Sequence, residues 1–161
     1  MAVRKEYIED LEKLKGEVLR MGKLAKESAK NAIKALVQRD TELASRILKE
    51  NVTIDELEFD IENRCMKLLA LQQPMAVDLR TIGTCMKVIT DFDRISDLAG
   101  DIAEIVIRIA DEPFAKPLID VPRMSEISLG MISDCLKAFS TGDIKIPVSY
   151  THLTLPTKRI V

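Results

Sequence analysis

The sequence predicts an all-α protein built from antiparallel three-helix bundles, and three observations lead to this prediction. Of the 161 residues, 47% are hydrophobic but only 4% are aromatic, with six glycines and no tryptophan. No proline occurs before Pro74. Apolar residues recur at steps of three and four along three long segments, which is the spacing of one helix face. These features argue against a β-sandwich, a disulfide-stapled module and a disordered tail.

The first predicted helix covers residues 7–36, where the apolar residues form one continuous stripe. The stripe consists of Tyr7, Leu11, Leu14, Val18, Met21, Ala25, Ala29, Ala32 and Leu36. Gly16 and Gly22 interrupt this run, but a single glycine weakens a helix without ending it.

The second predicted helix begins at Asp40-Thr41, a pair suited to capping the free N–H groups of a helix start. Its apolar stripe consists of Leu43, Ile47, Ile54, Leu57, Ile61, Cys65 and Leu68. The helix is expected to close at Gln73, because a residue before proline is displaced from the α region.

The third predicted helix, residues 76–110, carries a seam that is expected to face the other two helices. The seam consists of Cys85, Val88, Phe92, Ile95, Ala99, Ile102, Val106 and Ile109. The opposite face changes character midway. Its first half is apolar, with Leu79, Ile82, Met86 and Ile89, and its second half is acidic, with Asp93, Asp97, Asp101 and Glu104. Three such helices predict one antiparallel bundle over residues 1–111.

A second bundle is predicted to start after a proline-containing linker at residues 112–122. Residues 21–40 and 124–143 align at a constant offset, which indicates an internal repeat. Residues 123–143 are therefore expected to be the first helix of an incomplete second bundle, loosely attached or buried only by self-association. Residues 144–161 lose the helical pattern and contain the only histidine, His152. We expect a non-native tail there, with a short strand or loop as the alternative.

Charge and cysteine usage narrow the class of protein. A formal net charge of −2 argues against nucleic acid as a partner. The N-terminus lacks the apolar region of a secretion signal, and no apolar run approaches the ~20 residues that span a bilayer. The three cysteines, Cys65, Cys85 and Cys135, stand among apolar residues and are expected to be reduced core residues of a cytoplasmic protein. Because no phosphate loop or nucleophile–base set occurs, we predict no enzyme.

The acidic half of the third helix predicts a metal site. Asp93, Asp97 and Asp101 are spaced at i, i+4, i+8, where like charges destabilise a helix unless something offsets them. A hard cation would do so, although a solvated acidic surface is the alternative. Glu56 lies at nearly the height of Asp93 in an antiparallel hairpin, and Glu56 and Asp60 supply a second carboxylate pair. No Glu-x-x-His motif supports a di-iron oxidase.

The apolar half of the same face is a candidate partner-binding surface. Leu79, Ile82, Met86 and Ile89 lie outside the seam and need another cover: a second bundle, a sister subunit or a partner protein. Simple burial of both faces by the bundle is the alternative.

Residues 68–104 resemble the PhoU family of phosphate-uptake regulators. The resemblance rests on the Leu-Gln-Gln-Pro turn at 71–74, on Asp78-Leu79-Arg80 and on Asp93-Arg94-Ile95-Ser96-Asp97. The stretch 55–61 also resembles the helix-two motif of this family. The whole resemblance extends over residues 5–143, within which Asp93 stands where the family often has glutamate.

The resemblance implies a cytoplasmic, often dimeric protein of two three-helix bundles. Its surface carboxylates, here Asp93 and Asp97 with Glu56 and Asp60, would hold a metal ion such as iron, manganese, zinc or magnesium. It also implies a negative regulator of phosphate uptake and of starvation signalling. Such a regulator acts on the ATPase of a phosphate ABC transporter and on a sensor histidine kinase, and reaches the membrane only through these partners. A helical bundle for metal storage or sensing is the alternative function.

Overall fold

The computed structural model describes residues 2–72, 74–114, 117–143 and 145, and four helices account for most of them. The helices are α1 (Ala2–Gln38), α2 (Thr41–Gln72), α3 (Ala76–Arg108) and α4 (Asp120–Thr141). The predicted all-α fold is confirmed. The expected tail, with His152, lies outside the described residues except for residue 145.

The turn between α1 and α2 is compact because one residue ends a helix and the next begins another. Arg39 adopts a left-handed conformation (φ 54°), and its N–H donates to the Leu36 carbonyl. The Asp40 N–H reaches back to the Ala35 carbonyl at 3.0 Å, which completes a Schellman motif. The Asp40 carboxylate then accepts a hydrogen bond from the Leu43 N–H at 2.8 Å. Asp40 is therefore the N-cap of α2, as predicted.

Helices α1, α2 and α3 pack against one another in all three pairwise combinations, and α4 packs against α1. The short turns between consecutive helices make neighbours antiparallel. The core divides into two apolar clusters. One lies at the α2–α3 turn end and contains large side chains such as Leu14, Met21 and Ile61. The other lies at the opposite end and is rich in alanine, so the helix backbones can approach closely there.

The seam predicted on α3 is buried or half-buried along its length, but the buried surface of the helix is wider than predicted. Ile82 and Ile89 are almost fully buried in the first cluster, and Met86 packs against it. These three are therefore not part of an open partner-binding surface, which corrects the prediction for them. The reason is that α3 contacts α1 and α2 on different sides. Leu79 alone of the four is exposed.

Helix α4 is anchored on the first bundle by its C-terminal half. Leu136 is buried, with Ile132 and Phe139 packed beside it against the large-residue cluster. The N-terminal half is more open, since Met124 and Ile127 are exposed. An apolar groove of about 370 Å³ runs between α1, α3 and this half of α4. Helix α4 is therefore only partly buried: its C-terminal half packs on the first bundle and its N-terminal half lines an open groove.

Two of the three cysteines fill the core. Cys65 and Cys85 are free thiols buried between α2 and α3, whereas Cys135 is free and exposed on α4, which corrects the prediction for that residue. Burial raises the pKa of the Cys65 thiol to about 12 and that of Cys85 to about 11, so both stay protonated. Among the described residues, no helix combines the length and apolar character that crossing a bilayer requires.

Candidate metal site

Three carboxylates meet at the surface seam between α2 and α3. Asp55 projects from α2, and Asp93 and Asp97 project from successive turns of α3. One carboxylate oxygen from each lies within 4.8 Å of the other two. Asp55 and Asp97 are exposed and Asp93 is half-buried, so the group is open to solvent on one side. We call these three residues the acidic cluster.

The electrostatics of the acidic cluster are unfavourable for three ionised carboxylates. Partial burial, and after it the negative charges of Glu58, Asp97 and Asp55, together raise the pKa of Asp93 from 3.8 to about 6. A hydrogen bond between Asp93 and Asp55, which needs a proton on one of them, acts in the same direction. The site therefore favours a bound positive charge, whether a proton or a cation.

A polar bridge holds the two helices together one turn from the acidic cluster. The Asn51 amide of α2 donates to the backbone carbonyl of Ser96 at 2.8 Å. Its oxygen accepts from the Ser96 hydroxyl at 2.8 Å and from the Ser28 hydroxyl of α1 at 3.2 Å. Ser96 and Ser28 are buried. The bridge lies between the two apolar clusters and links all three helices. Its polar groups are paired with one another, and a buried polar group left without a partner there would lower the stability of the fold.

Gly100 makes room for this bridge. A Cβ atom at this position would stand 2.8 Å from the amide nitrogen of Asn51. The absence of a side chain at Gly100 therefore allows the Asn51 side chain to approach the backbone of α3 closely. Since Asn51 and Asp55 are one helical turn apart, as are Asp93 and Asp97, the bridge fixes the relative height of α2 and α3 at the acidic cluster.

The structure brings together only part of the predicted metal set. Asp93 and Asp97 lie in the acidic cluster, but Glu56, Asp60 and Asp101 are exposed and are not part of it. Asp60 lines a cleft with Asp10 of α1, on the other side of α2. For Glu56 and Asp60 the cause is the helical period, because a residue one or five positions from Asp55 points in a very different direction. Asp101 lies one turn beyond Asp97 on α3.

Asp55, the residue that α2 contributes to the acidic cluster, is not among the metal ligands that the sequence predicted. Asp55 and Asp93 are equidistant in sequence from Pro74, so the hairpin argument that selected Glu56 applies at least as well to Asp55. The additional signal was Ile54, which is buried in the core. A residue that follows a core position lies at one edge of the surface that its helix buries. For Asp55 this is the edge of α2 that faces α3.

The donor set fits a hard divalent or trivalent cation. Carboxylate oxygens are the preferred ligands of magnesium, calcium and manganese, and carboxylates from facing helices build metal sites in helical bundles. A cation held by these three residues would neutralise their repulsion and connect α2 to α3. Zinc is the weakest candidate, because its structural sites use sulfur and nitrogen ligands.

Comparisons with known proteins agree on one family. Residues 18–106 match the model of the PhoU domain. Among curated proteins, the phosphate-specific transport system accessory protein PhoU homolog of Aquifex aeolicus is 42% identical over 138 residues, covering 86% of this chain. The homolog of Clostridium acetobutylicum is 37% identical over 137 residues, covering 84% of this chain. The match spans 62% and 63% of these two relatives, so it covers less than two thirds of their length.

Solved structures show the same similarity in three dimensions. The crystal structure of the phosphate transport system regulatory protein PhoU from Streptococcus pneumoniae superposes with a TM-score of 0.82 at 30% identity. The superposition covers 89% of this chain and 67% of that one. PhoU from Pseudomonas aeruginosa gives a TM-score of 0.89 at 27% identity, covering 95% of this chain and 74% of the other.

Proposed function

The chain belongs to the PhoU family, and on that premise we propose that it is a non-enzymatic negative regulator of phosphate uptake and of phosphate-starvation signalling. It acts in the cytoplasm through protein contacts with the ATPase of a phosphate ABC transporter and with a sensor histidine kinase. It reaches the membrane only through these partners, and it forms a homodimer. The observation that carries the proposal is the continuous match over 138 residues to an accessory protein of phosphate-specific transport.

The regulatory proposal is tested by direct binding. The purified chain is passed over immobilised transporter ATPase and, separately, over the cytoplasmic part of the sensor kinase, with a full-length PhoU protein as the positive control. We expect saturable binding of the chain to at least one partner. If the full-length control binds and the chain binds neither, the proposal fails for this chain.

We further propose that the acidic cluster holds one metal ion, with manganese, iron and magnesium as the candidates. Asp55, Asp93 and Asp97 supply the ligand oxygens, and Asn51 keeps α2 and α3 at the height that brings them together. The bound cation supplies positive charge that cancels the repulsion among the carboxylates. It thereby stabilises the folded bundle by mass action, because the unfolded chain does not assemble these ligands.

Thermal unfolding tests the metal site. Manganese in excess should raise the Tm of the wild-type chain by several degrees and should leave an Asp93→Asn/Asp97→Asn variant nearly unchanged. Asp101→Asn is the matched control, since Asp101 is exposed on the same helix outside the acidic cluster. Equal shifts in the double variant and the wild type would remove the assignment.

Metal storage is less well supported than regulation. Within the described residues, one group of three carboxylates comes together in this way. A single open site suits a structural or regulatory ion, whereas storage would require many ions per chain. Counting the metal bound per chain by mass spectrometry under native conditions separates the two functions.

A further inference from the structure

The connection between α3 and α4, residues 109–119, is tied to the bundle through an aromatic side chain. The guanidinium of Arg39, in the turn between α1 and α2, lies over the ring of Phe114 at 4.2 Å from its centroid. A cation at this distance from an aromatic face is attracted by the ring. The backbone hydrogen bonds within the connection are local, from the Glu112 N–H to the Ile109 carbonyl and from the Ile119 N–H to the Pro117 carbonyl. Neither of them reaches the bundle.

Arg39 makes this contact from a backbone conformation that arginine rarely adopts. Its φ of 54° lies in the left-handed region, where a Cβ atom is crowded by the following carbonyl oxygen. The matching residue of the predicted internal repeat is Gly142, which has φ 73° and is followed by Asp143, just as Arg39 is followed by Asp40. Glycine at this turn avoids the strain. What arginine supplies, and glycine cannot, is the contact with Phe114.

Helix α4 is held near both of its ends. Leu136 packs into the large-residue cluster near the C-terminal end, and the connection fixes the start of the helix at Asp120. These two points are about 24 Å apart at 1.5 Å per residue. Between them the helix lines the apolar groove, with Val121 and Met124 on one wall and residues of α1 and α3 on the other. The position of the N-terminal half of α4 therefore depends on where the connection is held.

We propose that the contact between Arg39 and Phe114 is a latch that holds the N-terminal half of α4 over the apolar groove. With the latch closed, the chain is fixed to the bundle shortly before α4 begins. With the latch open, the last fixed point is the end of α3, and the first turns of α4 move away from α1 around Leu136 as the pivot. The groove then opens. The latch is independent of the acidic cluster and of the regulatory partners.

Amide hydrogen exchange of the full chain, followed by mass spectrometry, tests the latch. Phe114→Leu removes the aromatic face and keeps an apolar side chain. We expect residues 120–130 to exchange about two- to fivefold faster than in the wild type, which is the factor that a partly exposed cation–π contact contributes to an opening equilibrium. Residues 132–140, around Leu136, should exchange at the wild-type rate. Glu112→Ala is the matched control, because Glu112 is exposed in the same connection, and it should behave like the wild type.

Arg39→Gly separates the latch from the stability of the fold. This substitution removes the cation and also relieves the left-handed strain, so the Tm should not fall. Residues 120–130 should nevertheless exchange faster by the same factor as in Phe114→Leu. A contact that only stabilised the whole fold would instead lower the Tm and accelerate exchange throughout the bundle.

The inference is overturned if Phe114→Leu and Arg39→Gly leave the exchange of residues 120–130 unchanged, or if Glu112→Ala accelerates it equally. Faster exchange in both halves of α4, or a lower Tm of Arg39→Gly with faster exchange in all four helices, would also overturn it. The contact would then stabilise the whole helix or the whole fold instead of holding one end of α4. None of these results bears on metal binding or on the binding of the transporter ATPase and the sensor kinase, which are tested separately.

Discussion

At the scale of single residues, Asp93 makes the stability of the metal-free protein depend on pH. Its folded-state pKa of about 6 lies above the ordinary value of 3.8. Protonated Asp93 therefore stabilises the folded state in full below about pH 4. This stabilisation is lost as the pH rises through 6, because the ionised carboxylate is repelled by Glu58, Asp97 and Asp55. Near neutral pH a cation can take the place of the proton.

We expect Asp93→Asn to make the metal-free chain more stable at neutral pH by the order of 1 kcal/mol, after allowance for solvent screening. It should have little effect below about pH 4.5, where Asp93 is already largely protonated. Urea unfolding of both proteins in a chelator, at about pH 4.5 and about pH 7.5, measures the difference. A variant that is less stable than the wild type at neutral pH would show that repulsion does not dominate at Asp93.

Asn51 is the polar residue on which the packing of three helices depends. Asn51→Ala should cost about 2–3 kcal/mol of unfolding free energy, because it leaves the buried hydroxyls of Ser96 and Ser28 without their common acceptor. Chemical denaturation measures the loss. Thr53→Ala, at an exposed position of the same helix, should change stability by less than about 0.5 kcal/mol. Equal effects of the two substitutions would contradict the role of the bridge.

At the scale of helices, Gly22 decides how closely α1 meets α3 and α4. A Cβ atom there would stand 2.5 Å from Leu136 and 2.7 Å from the ring of Phe92, whereas one at Gly16 would meet nothing within 4 Å. Gly22→Ala should therefore destabilise the protein by about 1–3 kcal/mol. Gly16→Ala, in the same helix, should stabilise it by about 0.5–1 kcal/mol. The two unfolding free energies provide the test, and a gain in both variants would mean that α4 does not pack on α1 as described.

The packing of α4 makes a second prediction at this scale. Amide hydrogen exchange should be slower around Leu136, which is buried, than around Ile127, which is exposed beside the apolar groove. Exchange followed by mass spectrometry resolves the two halves of α4. Uniformly strong protection of residues 124–140 in a demonstrated monomer would contradict the incomplete burial of this helix.

At the scale of the whole molecule, helical periodicity was sufficient to predict the bundle but not the rotation of each helix within it. The apolar steps located α1, α2 and α3, and the Asp40 cap and the Pro74 turn located their ends. Burial of Ile82 and Ile89 could not be predicted, because it depends on which parts of the α3 surface are covered by α1 and which by α2. The choice of Asp55 over Glu56 is a difference of about 100° around one helix, which sequence distance from a turn does not encode.

The central claim is that the seam between α2 and α3 is a cation site. Calorimetric titration of manganese into the Asp55→Asn and Glu56→Gln variants tests this claim most directly. Both variants remove one carboxylate from adjacent positions of the same helix, but only Asp55 belongs to the acidic cluster. We predict that Asp55→Asn weakens manganese binding by at least about tenfold, as loss of a ligand charge should. Glu56→Gln should bind like the wild type. Loss of binding in Glu56→Gln with retention in Asp55→Asn would contradict the account and would place the metal on the outer face of α2.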